Sequence, residues 1–431
     1  MSGQNGVSSF PQAVSEPPRR IAVVAYHSSP LLEPGSGDAG GMTVYVRALA
    51  RALSQRGFRT DIFTRATDDG PLVVEISPGV RVVSVVAGPR GFVDKETQLE
   101  FLDDFVTGVA AFATGQRARY DIVHSHYWQS GLAAKALAKC WNVPLVHSHH
   151  TLGKVKNRAL APGDTPEPLS RLSGEADVIG AADVLVASTE QESEQLSFLY
   201  GAPSDRVKNL HPGVDHSTFS PGDRARARAT LGLHADHTML LFVGRIQRLK
   251  GIDLAIRAME QLLPALDRPV DLLIVGGASG PGGNGEIARL RELADALEVS
   301  GSLRFTGPQP HGRLVDYYRA ADALLVCSYS ESFGLTALEA HACGTPVIGT
   351  AVGGLSHIVA DGASGFLLGS RDPAEFAARL KTLLSDGDLR DGFSKCAYER
   401  SLMFSWVSTA DAFVELYECL LREDFPEVCT C

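Results

Sequence analysis

Short apolar runs recur along the chain, each followed by a stretch in which apolar residues return every three or four positions. The first run, Ile21 to Tyr26, is β-branched and has the continuous apolar character of a strand buried on both faces. A glycine-rich loop follows it (Pro34 to Gly41, PGSGDAGG), and then a helical pattern from Met42 to Gln55. Further strand-like runs are Thr60 to Thr64, Val80 to Ala87, Asp121 to His124, Leu145 to Ser148 and Asp183 to Ser188, with helical stretches such as Lys95 to Gly115 and Gly131 to Cys140 between them. Strands alternating with helices predict a doubly wound parallel sheet whose ligands sit at the carboxyl ends of its strands.

The pattern then restarts. Leu210 to Pro221 (LHPGVDHSTFSP) is rich in turn formers and reads as a linker. Strand-like runs follow near Met239 to Val243, Asp271 to Val275, Ser302 to Thr306, Ala323 to Cys327, Pro346 to Thr350 and Gly365 to Leu368. Helices are expected between them, at Gly251 to Leu266 and Asn284 to Leu297 among others. The expected architecture is therefore α/β with two doubly wound, Rossmann-like domains facing a central cleft. Residues 1–18 form a disordered lead-in, 19–212 a first domain and 213–405 a second, with a last helix at about 406–425 packing back on the first.

Length and composition agree with that division. A chain of 431 residues exceeds one ordinary core, and two domains of roughly 200 residues are the expected solution. Forty basic against fifty acidic residues give a net charge of −10, which argues against nucleic acid or an anionic membrane as partner. No apolar run approaches the roughly 20 residues that span a bilayer, and the Ser-, Gly- and Pro-rich beginning lacks a signal-peptide core. The seven cysteines are scattered and odd in number, a pattern that suits a reducing cytoplasm better than a disulfide framework. Cys140, Cys327 and Cys343 lie in apolar surroundings and read as small buried hydrophobes.

Three segments carry chemistry. In the glycine loop the backbone can approach an anion, with free N–H groups at the start of the following helix. Its glycines at 35, 37 and 40, with Asp61 beyond, also allow a nicotinamide-dependent dehydrogenase. The second segment, Gly244 to Gly251 (GRIQRLKG), sets Arg245 and Lys250 after a buried strand, where a fork and a point charge can neutralise a diphosphate. The third, Glu331-Ser-Phe-Gly-Leu-Thr-Ala-Leu-Glu339, spaces two carboxylates a little over two helical turns apart in an apolar setting. Histidines recur as His124/His126, His147/His149 and His149/His150. They lack Cys or carboxylate partners at metal spacing and read as polar residues at strand ends rather than as a zinc site.

GRIQRLKG, ESFGLTALEA, GTPVIGTAVGG and DGASGFLL together resemble the retaining GT-B glycosyltransferases with the Glu-x7-Glu motif. The N-terminal segments YHSSP, GSGDAGGMTVYV, HSHYWQSG, HHTLGKVKN and RLSGE resemble one branch of that family, the inositol-phosphate glycosyltransferases of mycothiol biosynthesis. The resemblance implies transfer of N-acetylglucosamine from UDP-N-acetylglucosamine (UDP-GlcNAc) to 1D-myo-inositol 3-phosphate, in a cytoplasmic enzyme for which a homodimer is a further expectation. It implies that His27, Arg245, Lys250 and Glu331 serve catalysis. Glu33, Pro34, Gly41, Gln309 and Glu339 would join Arg245, Lys250 and Glu331 around the donor. Asp38, Ala39, Gly40, Gly41, Met42 and Thr43 would border the acceptor with His27. Lys95, Tyr127, Thr151 and Arg171 would hold its phosphate. No cofactor is implied for the chemistry, although a structural Mg²⁺ is, at Tyr318, Arg319, Ala321 and Thr345. Thr43 stands where that branch carries Asn, which leaves other sugar-phosphate or inositol-phosphate acceptors open. Sucrose-phosphate-synthase relatives share a similar glycine loop. A non-catalytic sugar-nucleotide sensor is a third reading, against which the intact Arg245/Lys250 pair and both glutamates count.

Overall fold

The computed structural model describes residues 19–422, apart from Ser36 and residues 280–282. The lead-in expected over 1–18 lies outside the described residues, as do Cys429 and Cys431. The first sheet is built from β1 (Arg20–Val24), β2 (Arg59–Arg65), β3 (Val73–Ser77), β4 (Val80–Val85), β5 (Ile122–His126), β6 (Leu145–Ser148), β7 (Val184–Ala187) and β8 (Val207–Asn209). The second contains β9 (Thr238–Val243), β10 (Val270–Val275), β11 (Leu303–Gly307), β12 (Ala323–Val326), β13 (Val347–Thr350) and β14 (Gly365–Leu368).

The strand orders are β3-β4-β2-β1-β5-β6-β7-β8 and β11-β10-β9-β12-β13-β14. Every pairing is parallel except β3 with β4. Strand β3 was not expected from the sequence. It is an edge strand with only one sheet neighbour, and its alternating exposure hides the apolar run that marks the central strands. Each order reverses at one point, between β1 and β5 in the first sheet and between β9 and β12 in the second. Crevices for ligands open at the carboxyl ends of strands beside such points.

Each sheet is covered on both faces by helices, which gives four buried apolar clusters. The last helix, Trp406–Leu421, contributes Ala410, Phe413, Leu416, Tyr417 and Leu420 to the cluster built on β1, β2 and the helix Gly41–Ser54. The chain thus crosses from the first sheet to the second after β8 and returns before this helix. The crossings touch where Val214 N donates to Phe404 O at 3.2 Å. A Cβ on Gly213 would collide with the backbone of Ser405 and Trp406, so only glycine permits this approach.

One cysteine expectation is corrected. Cys327 and Cys343 are buried, but Cys140 is exposed near the end of an amphipathic helix.

Phe413 is fully buried between the last helix and the first sheet. Phe413→Ala is expected to cost about 3–5 kcal/mol, measured as a lowered urea midpoint; a loss below about 1 kcal/mol would mean that the return helix adds little to this core.

Candidate active site

The two reversal points face one another, and loops leaving β1, β5, β6, β9 and β12 enclose a cavity of about 340 Å³. After β1 comes the glycine loop, which reaches across to the second sheet. Gly277 N donates to Gly35 O at 2.7 Å, and Ser279 Oγ donates to Gly37 O. Gly40 lies so close to Arg245 that a Cβ there would sit 3.3 Å from its Nε. The glycines therefore let backbone lie flat over Arg245.

On the second-sheet side, Arg245 follows β9 and is partly buried. It makes no ion pair among the described residues; its Nη1 donates to Ser279 Oγ at 3.5 Å. Burial lowers its pKa, with Asp38, Tyr127 and Glu331 opposing from a distance. Lys250 Nζ is bonded to Glu331 Oε2 at 2.7 Å, and Ser328 Oγ donates to the same oxygen at 3.2 Å. Glu339 is buried and accepts from His311 Nε2 and Tyr318 Oη, both at 2.7 Å. Although burial opposes it, Glu339 raises the pKa of His311 above its ordinary value.

On the first-sheet side, Lys95 Nζ pairs with Asp38 at 2.8 Å. Arg171 donates to Thr151 Oγ1 at 2.9 Å and pairs with Glu175 at 2.8 Å and Glu167 at 2.9 Å. Lys156, which no sequence signal singled out, also pairs with Glu167. The Tyr127 ring lies beneath both cations, 5.8 Å from Lys95 Nζ and 5.1 Å from Arg171 Cζ. The His27 ring packs on Tyr127 at 4.3 Å, and its Nδ1 is buried without a hydrogen-bond partner among the described residues. Burial, then Lys95 and Arg245, drive its pKa well below the usual value, so the ring is neutral. Tyr127 and His150, at the ends of β5 and β6, hold φ angles of 75° and 61°, left-handed conformations that cost energy outside glycine.

The cavity thus gathers His27, Pro34, Asp38, Gly40, Gly41, Met42, Lys95, Tyr127, Thr151, Arg171, Arg245, Lys250, Gln309, Glu331 and Glu339 of the residues expected there. Three others are placed differently. Glu33 is exposed and accepts from His311 N at 3.3 Å. Ala39 is buried, with its carbonyl bonded to Gly35 N. Thr43 is buried with Oγ1 turned to Gly40 O at 2.7 Å, so its hydroxyl braces the loop instead of lining the cavity. Of the residues expected at a magnesium, Tyr318 and Thr345 do meet, through Thr345 Oγ1 donating to Tyr318 O at 2.7 Å. That bond and the Ala321 N–H already use the Tyr318 carbonyl, and the four residues named for the site offer neutral oxygens alone.

Two doubly wound sheets with facing ligand crevices are the arrangement of the GT-B fold, which does not by itself tie the chain to one chemistry. The family described as "Glycosyl transferases group 1" matches residues 223–400, and the "Glycosyl transferase 4-like domain" matches residues 40–213. The chain belongs to this glycosyltransferase family. It is 48% identical over 411 residues to the D-inositol 3-phosphate glycosyltransferase of Acidothermus cellulolyticus, covering 94% of this chain and 91% of that one. It is 45% identical over 417 residues to the enzyme of the same name from Thermobifida fusca, covering 96% of each. Among solved structures, sucrose-phosphate synthase from Thermosynechococcus elongatus superposes with a TM-score of 0.87 at 33% identity, over 93% of this chain and 99% of that one. Anabaena HepE, solved with UDP and glucose, shares the fold at TM-score 0.73 and 19% identity, over 92% and 99% of the two chains.

Behind the cavity lies a histidine network. His124 contacts Tyr417 Oη at 2.7 Å and Ser148 Oγ at 3.0 Å, His126 contacts His150 at 2.8 Å, and Ser125 Oγ contacts His147 at 2.7 Å. Burial lowers His124, His149 and His150 to about 3. These rings are neutral when folded but bind protons below about 6.5 when unfolded, so their contribution is complete above that pH and falls as pH drops toward 3. Each contributes a slope of up to about 1.4 kcal/mol per pH unit in that window. His149→Asn is expected to flatten the fall in unfolding free energy between pH 6.5 and 4; an unchanged slope would show that His149 titrates normally.

Proposed function

We propose that the chain transfers N-acetylglucosamine from UDP-GlcNAc to 1D-myo-inositol 3-phosphate with retention at the anomeric carbon, the first committed step of mycothiol biosynthesis. The observation that carries this reading is one cavity with cations on two walls: Arg245, without a counter-ion among the described residues, and Lys250 on one side, and Lys95 and Arg171 with Tyr127 and Thr151 on the other. The names of the relatives from Acidothermus and Thermobifida support the acceptor.

In this mechanism the acceptor hydroxyl attacks the anomeric carbon from the face the diphosphate leaves. The new carbon–oxygen bond forms as the bond to the diphosphate breaks, and the hydroxyl proton passes to the departing diphosphate oxygen. Arg245 and Lys250 stabilise the charge that grows on that oxygen, an interaction stronger in the transition state than in the ground state. Glu331, fixed by Lys250 and Ser328, contacts the transferred sugar. Neutral His27 offers its unused ring nitrogen to a sugar or acceptor hydroxyl. Glu339, oriented by His311 and Tyr318, holds the ribose, and the backbone at Gln309 faces the uracil. The acceptor-side cations hold the phosphate so that the hydroxyl lies within reach of the anomeric carbon. A magnesium ion near Tyr318, Arg319, Ala321 and Thr345 would be structural and takes no step in this scheme. No helix among the described residues is long and apolar enough to cross a membrane, which suits a small polar acceptor.

Incubation with UDP-GlcNAc plus inositol 3-phosphate, glucose 6-phosphate or fructose 6-phosphate, followed by UDP release, tests the reading. Turnover with inositol 3-phosphate alone is expected. Turnover only with a hexose phosphate would replace the acceptor, and no turnover of UDP-GlcNAc with any acceptor would remove the donor.

A further inference from the structure

The acceptor wall carries as many carboxylates as cations. Lys95, Lys156 and Arg171 are met by Asp38, Glu167 and Glu175. The three carboxylates are not equivalent. Glu175 is fully buried and also receives Gly153 N at 2.9 and 3.0 Å and the Tyr200 hydroxyl, so it belongs to the framework. Asp38 sits on the glycine loop and touches Lys95 alone among the cations. Glu167 bridges two cations, Lys156 and Arg171, from the irregular segment 159–168, and lines the cavity itself. Its side chain keeps 19% exposure, against 4% for that of Arg171 and none for that of Glu175. One carboxylate thus occupies the place between a guanidinium and an ammonium that a phosphate would take.

We infer that Glu167 is an internal counter-anion of the acceptor site, displaced when the acceptor phosphate binds, and that Lys156 is a further phosphate-binding cation. The inference rests on the phosphorylated acceptor proposed above. With Glu167 in place, the site presents no net attraction for weakly bound anions. A ligand must offer more than Glu167 does, and a dianionic phosphate with acceptors for Lys95, Lys156 and Arg171 together meets that condition. The segment that carries Glu167 is tied to the second sheet as well: Arg248 Nη1, two residues before Lys250, donates to Pro162 O at 3.2 Å. Glu167 N donates to Asn157 Oδ1 at 2.7 Å, which keeps the backbone anchored while the side chain swings.

The test compares wild type with Glu167→Gln, which keeps shape and removes charge, and Glu167→Ala, which removes both. Titration calorimetry with inorganic phosphate is expected to show binding tightened by about threefold or more in both variants. The KM for the phosphorylated acceptor falls in parallel while the KM for UDP-GlcNAc stays in place. Lys156→Gln, in either background, weakens phosphate binding. If Glu167 only holds Lys156 and Arg171 in position, phosphate affinity drops and the acceptor KM rises in both variants, and the inference is overturned. Unchanged phosphate affinity overturns it as well. If phosphate binds more tightly to the variants but no phosphorylated acceptor is turned over by wild type, the counter-anion stands and the proposed acceptor falls.

Discussion

A guanidinium held in a cleft without a carboxylate partner is the constraint on which this molecule is arranged. Burying a cation unpaired costs stability, and proteins usually meet that cost with a neighbouring acid. Arg245 has none among the described residues; instead the glycine loop of the other sheet lies across it, close enough that even a methyl group at Gly40 would crowd Nε. The loop can lie there because its glycines accept the approach, and it is fixed by bonds from Gly277 and Ser279 to Gly35 and Gly37. The charge is thereby left available to a ligand, and a departing diphosphate suits it. Lys250 differs, since Glu331 already holds it at 2.7 Å. In the proposed reaction a donor that engages Lys250 shares it with Glu331, and the pair orients both groups.

The acceptor wall solves its electrostatics the other way, by neutralising itself. Tyr127 adds an aromatic face beneath Lys95 and Arg171, at the price of a left-handed backbone at the end of β5. The histidine network behind it ties β5 and β6 to the return helix through Tyr417. The wall is thus connected to the last segment of the chain.

Much of this was legible in the sequence. Buried parallel strands announce themselves as apolar runs, so nearly every central strand was found within a residue or two, and the restart after Pro221 separated the sheets. Arg245, Lys250, Glu331 and Glu339 were readable because charges beside a buried run have few solvated explanations. The edge strand β3 was not, since its exposure alternates and a single pairing holds it. Lys156 and Glu167 were also missed. They lie in a short helix and an irregular segment without periodicity, and each looks like an ordinary surface charge until the fold brings both to Arg171. For Thr43 the resemblance implies an acceptor contact. In the structure its hydroxyl instead bonds back to the carbonyl three residues earlier, Gly40 O, which also accepts from Thr43 N and Val44 N.

In the proposed reaction Arg245 is kept unpaired for a diphosphate. Calorimetry of UDP and of uridine with wild type and Arg245→Gln tests it directly. Arg245→Gln is expected to weaken UDP by at least about tenfold, a loss of 1.4 kcal/mol, while uridine binds as before. Equal loss for both ligands, or no loss for UDP, would contradict it.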